Sequence, residues 1–181
     1  MYNSNMKKIL FLQSWYSKIT DNWYEWLKRE LDASGYETHF EDIPEMRKDT
    51  PDMNTILTYI ESLHFIDENT TIIAHSLGCL LALRLGEHHS FKKMILVSGW
   101  DFDDLTTEHS SFWKNKINHD KIKSHVKEIC VIHSDTDPYI TAFSAREMSK
   151  RLGAEFLLIK NGGHITAKDG FTEFPQLLKL L

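Results

Sequence analysis

The chain has 181 residues, 41% of them hydrophobic, and a formal net charge of −5. That is enough for one well-buried core and short of two comfortable domains. The negative balance excludes a phosphate-tracking surface, because nucleic-acid binding draws most of its affinity from clustered Lys and Arg, and no apolar stretch approaches the roughly 20 residues of a membrane span.

The first apolar run, residues 7–13, reads as a strand; Gln13 and Ser14 stop it before it could serve as a signal-peptide core. A cytoplasmic location is the resulting expectation. Next, Asp21 or Asn22 is placed to cap a helix through Trp23, Trp26, Leu27 and Leu31, whose three-to-four spacing makes one apolar face, ended by Gly35. Residues 36–42 form a second strand, and Thr50-Pro51-Asp52 opens a helix through Ile56, Leu57 and Ile60. Strands follow at 70–74, 93–98, 128–133 and 154–160, with a helix from Thr141 to Leu152 closed by Gly153. Most of these strands are continuous Ile/Leu/Val-rich runs, the pattern of strands covered on both faces, so the sheet is expected to be mainly parallel. Alternating strand and helix predicts a doubly wound α/β fold in a single domain, residues 1–181. Residues 101–126 fit poorly as one crossover helix and form a candidate partial lid carrying Phe102, Phe112 and Trp113. Cys79 and Cys130 fall in interior segments and are expected to be reduced, buried thiols.

The joint between the third strand and the helix after it reads Ala74-His75-Ser76-Leu77-Gly78. A serine hydroxyl is a weak nucleophile in water, and hydrolases present it on a sharp strand-to-helix turn of the form G-x-S-x-G. Gly78 fits that form and Ala74 adds one methyl. A serine at such a joint can also be a plain N-cap, so the reading depends on partners. After the fifth strand, "HSDTDPYIT" brings Asp135 and Asp137; after the sixth, "KNGGHIT" brings His164. Serine, acid, histidine is the chain order this fold uses, and loops at the carboxyl ends of parallel strands converge on one edge of the sheet. Asp137 is favoured as the acid because Pro138 fixes the backbone beyond it; Asp135 and the group Asp101, Asp103 and Asp104 are the alternatives.

His75 adjoins Ser76, but successive residues in a tight turn point apart, so it is expected to shape the site rather than act as its base. His88, His89 and His133 show no metal-ligand spacing, and no metal is expected. The loop after the first strand has no glycine-rich phosphate turn, so no nucleotide or flavin is expected. Trp15, Tyr16, Phe102, Phe112, Trp113 and Tyr139 are candidate lining for a small apolar pocket.

Taken together, "NWYEWLKREL", "NTTIIAHSLG", "ILVSGW", "SDTDPYI" and "NGGHI" resemble the small serine hydrolases of the α/β-hydrolase superfamily related to retinoblastoma-binding protein nine and the bacterial YdeN proteins. The resemblance runs nearly end to end. It implies a compact α/β-hydrolase fold with a sheet in the order 2-1-3-4-5-6 and no large cap domain. It also implies a triad of Ser76, Asp137 and His164, no cofactor, and a small ester, thioester or amide substrate. Gln13 and Ser14 depart from the His-Gly that relatives commonly carry after the first strand. Gln13, Ser14, His75, Phe102, Trp113 and Tyr139 are then the candidate substrate contacts, and the amides of Trp15 and Leu77 the candidate oxyanion hole. The altered loop motivates one alternative, a catalytically weak hydrolase fold used as a protein-interaction module.

Overall fold

The computed structural model describes residues 7–181. Six strands form one sheet in the order β2-β1-β3-β4-β5-β6, with every neighbouring pair parallel. They are β1 (Lys8–Leu12), β2 (Glu37–His39), β3 (Thr70–His75), β4 (Phe91–Val97), β5 (Val126–Ser134) and β6 (Glu155–Ile159). The helices are α1 (Tyr24–Ala33), α2 (Met53–Ser62), α3 (Gly78–Gly86), α4 (His119–His125), α5 (Ala142–Leu152) and α6 (Pro175–Leu178).

Side chains alternate between two cores, which is why the strands read as unbroken apolar runs. Leu10, Leu12, Ile72, Ala74, Met94, Leu96 and Val131 point to the face covered by α2, α3, α4 and α5. Ile9, Phe11, Ile73, Ile95, Val97 and Ile132 point to the face covered by α1 and α6. Cys79 and Cys130 are free and buried. No helix among the described residues is long and apolar enough to cross a membrane.

Two local expectations are corrected. Neither Asp21 nor Asn22 caps α1, whose N-cap is Trp23 with no side-chain hydrogen bond. Asp21 instead accepts from the Lys18 amide and Asn22 from the Ala167 amide, 145 positions away, so tertiary and turn contacts take the oxygens that capping would have used. The second strand keeps three residues rather than seven: Phe40 leaves the ladder to stack on Phe11 at 4.7 Å, and Asp42 turns back to the Ile19 amide at 2.8 Å.

The segment between β4 and β5 is tied at several points. Buried Arg84 donates to the carbonyls of Phe112 (2.8 Å), Asn115 and Lys116, and pairs with Glu87, whose carboxylate in turn takes the Asn118 amide at 2.6 Å. Asp101, its side chain 1% exposed, accepts from Arg151 at 2.6 and 2.8 Å and meets His119 at 2.7 Å. A buried carboxylate committed in this way is a structural anchor, so Asp101 is unavailable as the acid of the site.

Candidate active site

The order 2-1-3-4-5-6 makes successive connections leave β1 in opposite directions, and at such a switch point the carboxyl ends of the strands border a crevice. The loops after β1, β3, β4, β5 and β6 all contribute to it. Ser76 sits immediately after β3 with φ of +54°, a left-handed conformation that costs a non-glycine residue energy and recurs at functional turns. Its amide donates to the Val97 carbonyl at 2.8 Å, and its own carbonyl accepts from Cys79 at 2.9 Å, so the strained turn is gripped from both sides.

His164 Nε2 lies 2.9 Å from Ser76 Oγ, and His164 Nδ1 lies 2.8 Å from Asp137 Oδ2. An ionised carboxylate only accepts, so Nδ1 carries the proton and Nε2 turns its lone pair toward the serine hydroxyl. Asp137 Oδ1 accepts from the amides of Tyr139 (2.9 Å) and Ile140 (3.1 Å). Burial alone would raise the Asp137 carboxyl, but the hydrogen bond and charge of His164 together with these two amides outweigh it and hold the group below its ordinary value.

The two loops that carry Asp137 and His164 are bolted together. Asn161, Gly162 and Gly163 donate their amides to Asp135 (2.8 Å), Ser134 (2.9 Å) and Thr136 (3.1 Å). Asp135, the alternative acid, is therefore spent on this seam. Asp169 accepts from the His164 amide, the Thr166 amide and the Thr166 hydroxyl, and its carboxylate occupies the space a side chain at Gly163 would need.

Gly78 starts α3 against the loop after β1: a Cβ there would lie 2.6 Å from the Gln13 carbonyl oxygen and also against that of Leu12. The turn carrying the Leu77 amide thus abuts the loop carrying the Trp15 amide. Among the described residues, neither amide has a hydrogen-bond acceptor. No glycine is needed at Gln13 or Ser14, because the loop makes its left-handed step at Tyr16, φ +58°. Gln13 braces it instead, donating to the Ser17 carbonyl at 2.6 Å and accepting from the Ile43 amide at 3.1 Å.

A cavity of about 640 Å³ opens over Ser76 and His164. Of the candidate contacts and lining aromatics, Ser14, Trp15 and Tyr139 line it; Gln13, Tyr16, His75, Phe102, Phe112 and Trp113 do not. Gln13 is consumed by its loop, Phe102 is 40% exposed elsewhere, and Trp113 packs on the core behind the segment that Arg84 holds. Trp100, Asp104, Thr106, His109, Pro138, Ile140 and Thr166 complete the wall, none of them singled out as lining from sequence. Their position in loops after β4, β5 and β6 was the available signal. His133 was also missed in its present role: buried at the end of β5, it meets the Ile140 carbonyl through Nε2 at 2.8 Å and so steadies the loop of Asp137.

His75 is fully buried beneath His164. Burial, with the neighbouring His164 adding to it, lowers its imidazole to about 3. The unfolded chain binds a proton at this residue near pH 6.5 while the folded chain refuses it, so stability is complete above about 6.5 and falls as pH drops toward 3. From pH 6.5 to 5, His75 alone is expected to remove up to about 2 kcal/mol. Urea denaturation at the two pH values should give a clearly smaller fall for His75→Gln than for wild type, and equal falls would contradict the assignment.

Comparison with known proteins places these features in a family. The chain is 29% identical over 182 residues to YdeN of Bacillus subtilis, covering 97% of this chain and 94% of that protein. It is 28% identical over 170 residues to the serine hydrolase RBBP9 of Rattus norvegicus, covering 90% and 86% respectively. The crystal structure of the B. subtilis ydeN gene product superposes with a TM-score of 0.88 at 27% identity, over 97% of this chain and 96% of that one. The model of the serine hydrolase family matches residues 9–181, and the chain belongs to that family.

Proposed function

We propose that Ser76 is the nucleophile of this hydrolase, His164 its general base and then acid, and Asp137 the group that holds the His164 tautomer. His164 Nε2 takes the Ser76 proton as Oγ attacks an ester, thioester or amide carbonyl. The amides of Trp15 and Leu77 stabilise the resulting oxyanion. His164 returns the proton to the leaving alcohol, thiol or amine, leaving an acyl group on Ser76. It then activates the water that releases the acid and restores the serine. Residues 1–181 act in this proposal as one cytoplasmic hydrolase domain on a small molecule, with the 101–126 segment as a partial lid that contributes Asp104, Thr106 and His109 to the wall.

The observation that carries the proposal is the unbroken hydrogen-bonded line from Ser76 Oγ through the His164 ring to Asp137. A fluorophosphonate probe followed by peptide mapping tests it: one adduct, on Ser76, is expected. Labelling elsewhere would reject the nucleophile. No reaction with phosphonates or activated esters would favour the interaction-module alternative.

A further inference from the structure

We propose that the cavity wall around Ser76 is a set of hydrogen-bond acceptors that selects substrates whose acyl or leaving group carries O–H or N–H donors. The inference rests on the acyl-transfer reading of the same site and concerns what that site prefers to bind.

His75 Nε2 lies 2.9 Å from the His164 carbonyl oxygen, which can only accept, so the proton is on Nε2. His75 is buried and neutral, which leaves Nδ1 with a lone pair alone. Tyr24, whose hydroxyl meets Nδ1, must therefore donate. A phenol has one proton, so at 3.0 Å from Tyr24 the Ser14 hydroxyl must donate its own. Ser14 Oγ is left with lone pairs to offer the cavity.

Two other hydroxyls of the wall are committed in the same sense. Thr166 Oγ1 donates to Asp169 at 2.6 Å, and Thr106 Oγ1 donates to Asp104 at 2.8 Å. Asp104 is itself an acceptor and lines the cavity. Apart from the Trp15 and Leu77 amides assigned to the oxyanion, the wall's nitrogen donors are withdrawn: Trp15 Nε1 gives its proton to the Lys48 carbonyl, His109 Nδ1 gives its proton to Asp104, and the Trp100 indole N–H is shut off from solvent. Of the wall's hydroxyls, only that of the exposed Tyr139 has no partner among the described residues. A substrate ether or carbonyl set against Ser14, Thr106 or Thr166 would meet lone pairs with lone pairs, whereas a hydroxyl or amino group would be satisfied.

The test uses 4-nitrophenyl butyrates bearing a hydroxyl at carbon 2 or carbon 3, each against its methyl ether. At one position or both, wild-type kcat/KM is expected to favour the hydroxy ester by about 3- to 10-fold, the range of one neutral hydrogen bond. Tyr24→Phe keeps the ring and frees the Ser14 proton, so the ratio at the position facing Ser14 should fall toward one; Ser14→Ala should lower it too, and serves if Tyr24→Phe folds poorly. Ratios near one in wild type, or ratios that neither variant changes, would overturn the proposal. Fluorophosphonate labelling of Ser76 in each protein separates the two readings: labelled enzyme without a donor preference refutes this inference alone, and absence of labelling in wild type refutes the acyl-transfer reading.

Discussion

Ser76→Ala is expected to lower kcat on an activated ester by about 10⁴- to 10⁶-fold, and His164→Ala by a similar factor. The reason is cooperative. The hydroxyl and the imidazole perform one proton transfer between them, 2.9 Å apart, so removing either abolishes the step that the other serves. The double variant should then be no slower than the worse single one, with residual turnover from the oxyanion amides and substrate binding. Losses that multiply in the double variant would mean that the two residues act independently, and the proposed mechanism would fail. Far-ultraviolet circular dichroism of each variant checks that the fold is retained, which is expected because Ser76 and His164 sit at the cavity wall and not in either core.

Gly78→Ala is the second change with a large expected effect. The added methyl would lie 2.6 Å from the Gln13 carbonyl oxygen and against that of Leu12. Leu12 ends β1, where it pairs with Ala74 of β3, and Gln13 is braced by its bonds to Ser17 and Ile43, so the backbone there has little room to yield. Overpacking of this kind costs about 1–3 kcal/mol and sometimes more. What strain the fold absorbs should separate the Leu77 turn from the Trp15 loop, and loss of one oxyanion donor typically lowers turnover by about 100- to 1000-fold. The check is a urea midpoint together with kcat on the folded protein. A variant with wild-type stability and wild-type kcat would show that the close approach of the two loops has no bearing on the reaction.

How much of this was legible in the sequence differs from element to element. The helix at Thr141–Leu152 was readable to its ends because its signals are local: Thr141 accepts from the Ser144 amide, and Gly153 stops the helix at φ +62°. The cap of α1 was not, because Asp21 and Asn22 carry a capping residue's chemistry while their oxygens are taken by Lys18 and Ala167. The second strand was overextended for the same kind of reason, since Phe40 answers to Phe11 and not to its own chain neighbours. Among the site residues, Ser76, Asp137 and His164 could be named from strand-end position and chain order, and the structure brings their side chains together. Phe102 and Trp113 were named for being aromatic, and neither lines the cavity.

Short-range chemistry and periodicity were therefore enough for the six strands, their parallel sense, the family resemblance and the three residues of the proposed mechanism, because each is written in contiguous residues or in the order of segments along the chain. How the alternative acids are tied up elsewhere, which aromatics border the cavity and which way each wall hydroxyl turns its proton depend on packing. Those properties depend on partners far away in the chain: Asn161 occupying Asp135, Arg151 occupying Asp101, Tyr24 drawing in the proton of Ser14. A hydrogen-bonding group has a limited number of protons and lone pairs, and only the folded neighbourhood decides where they are used.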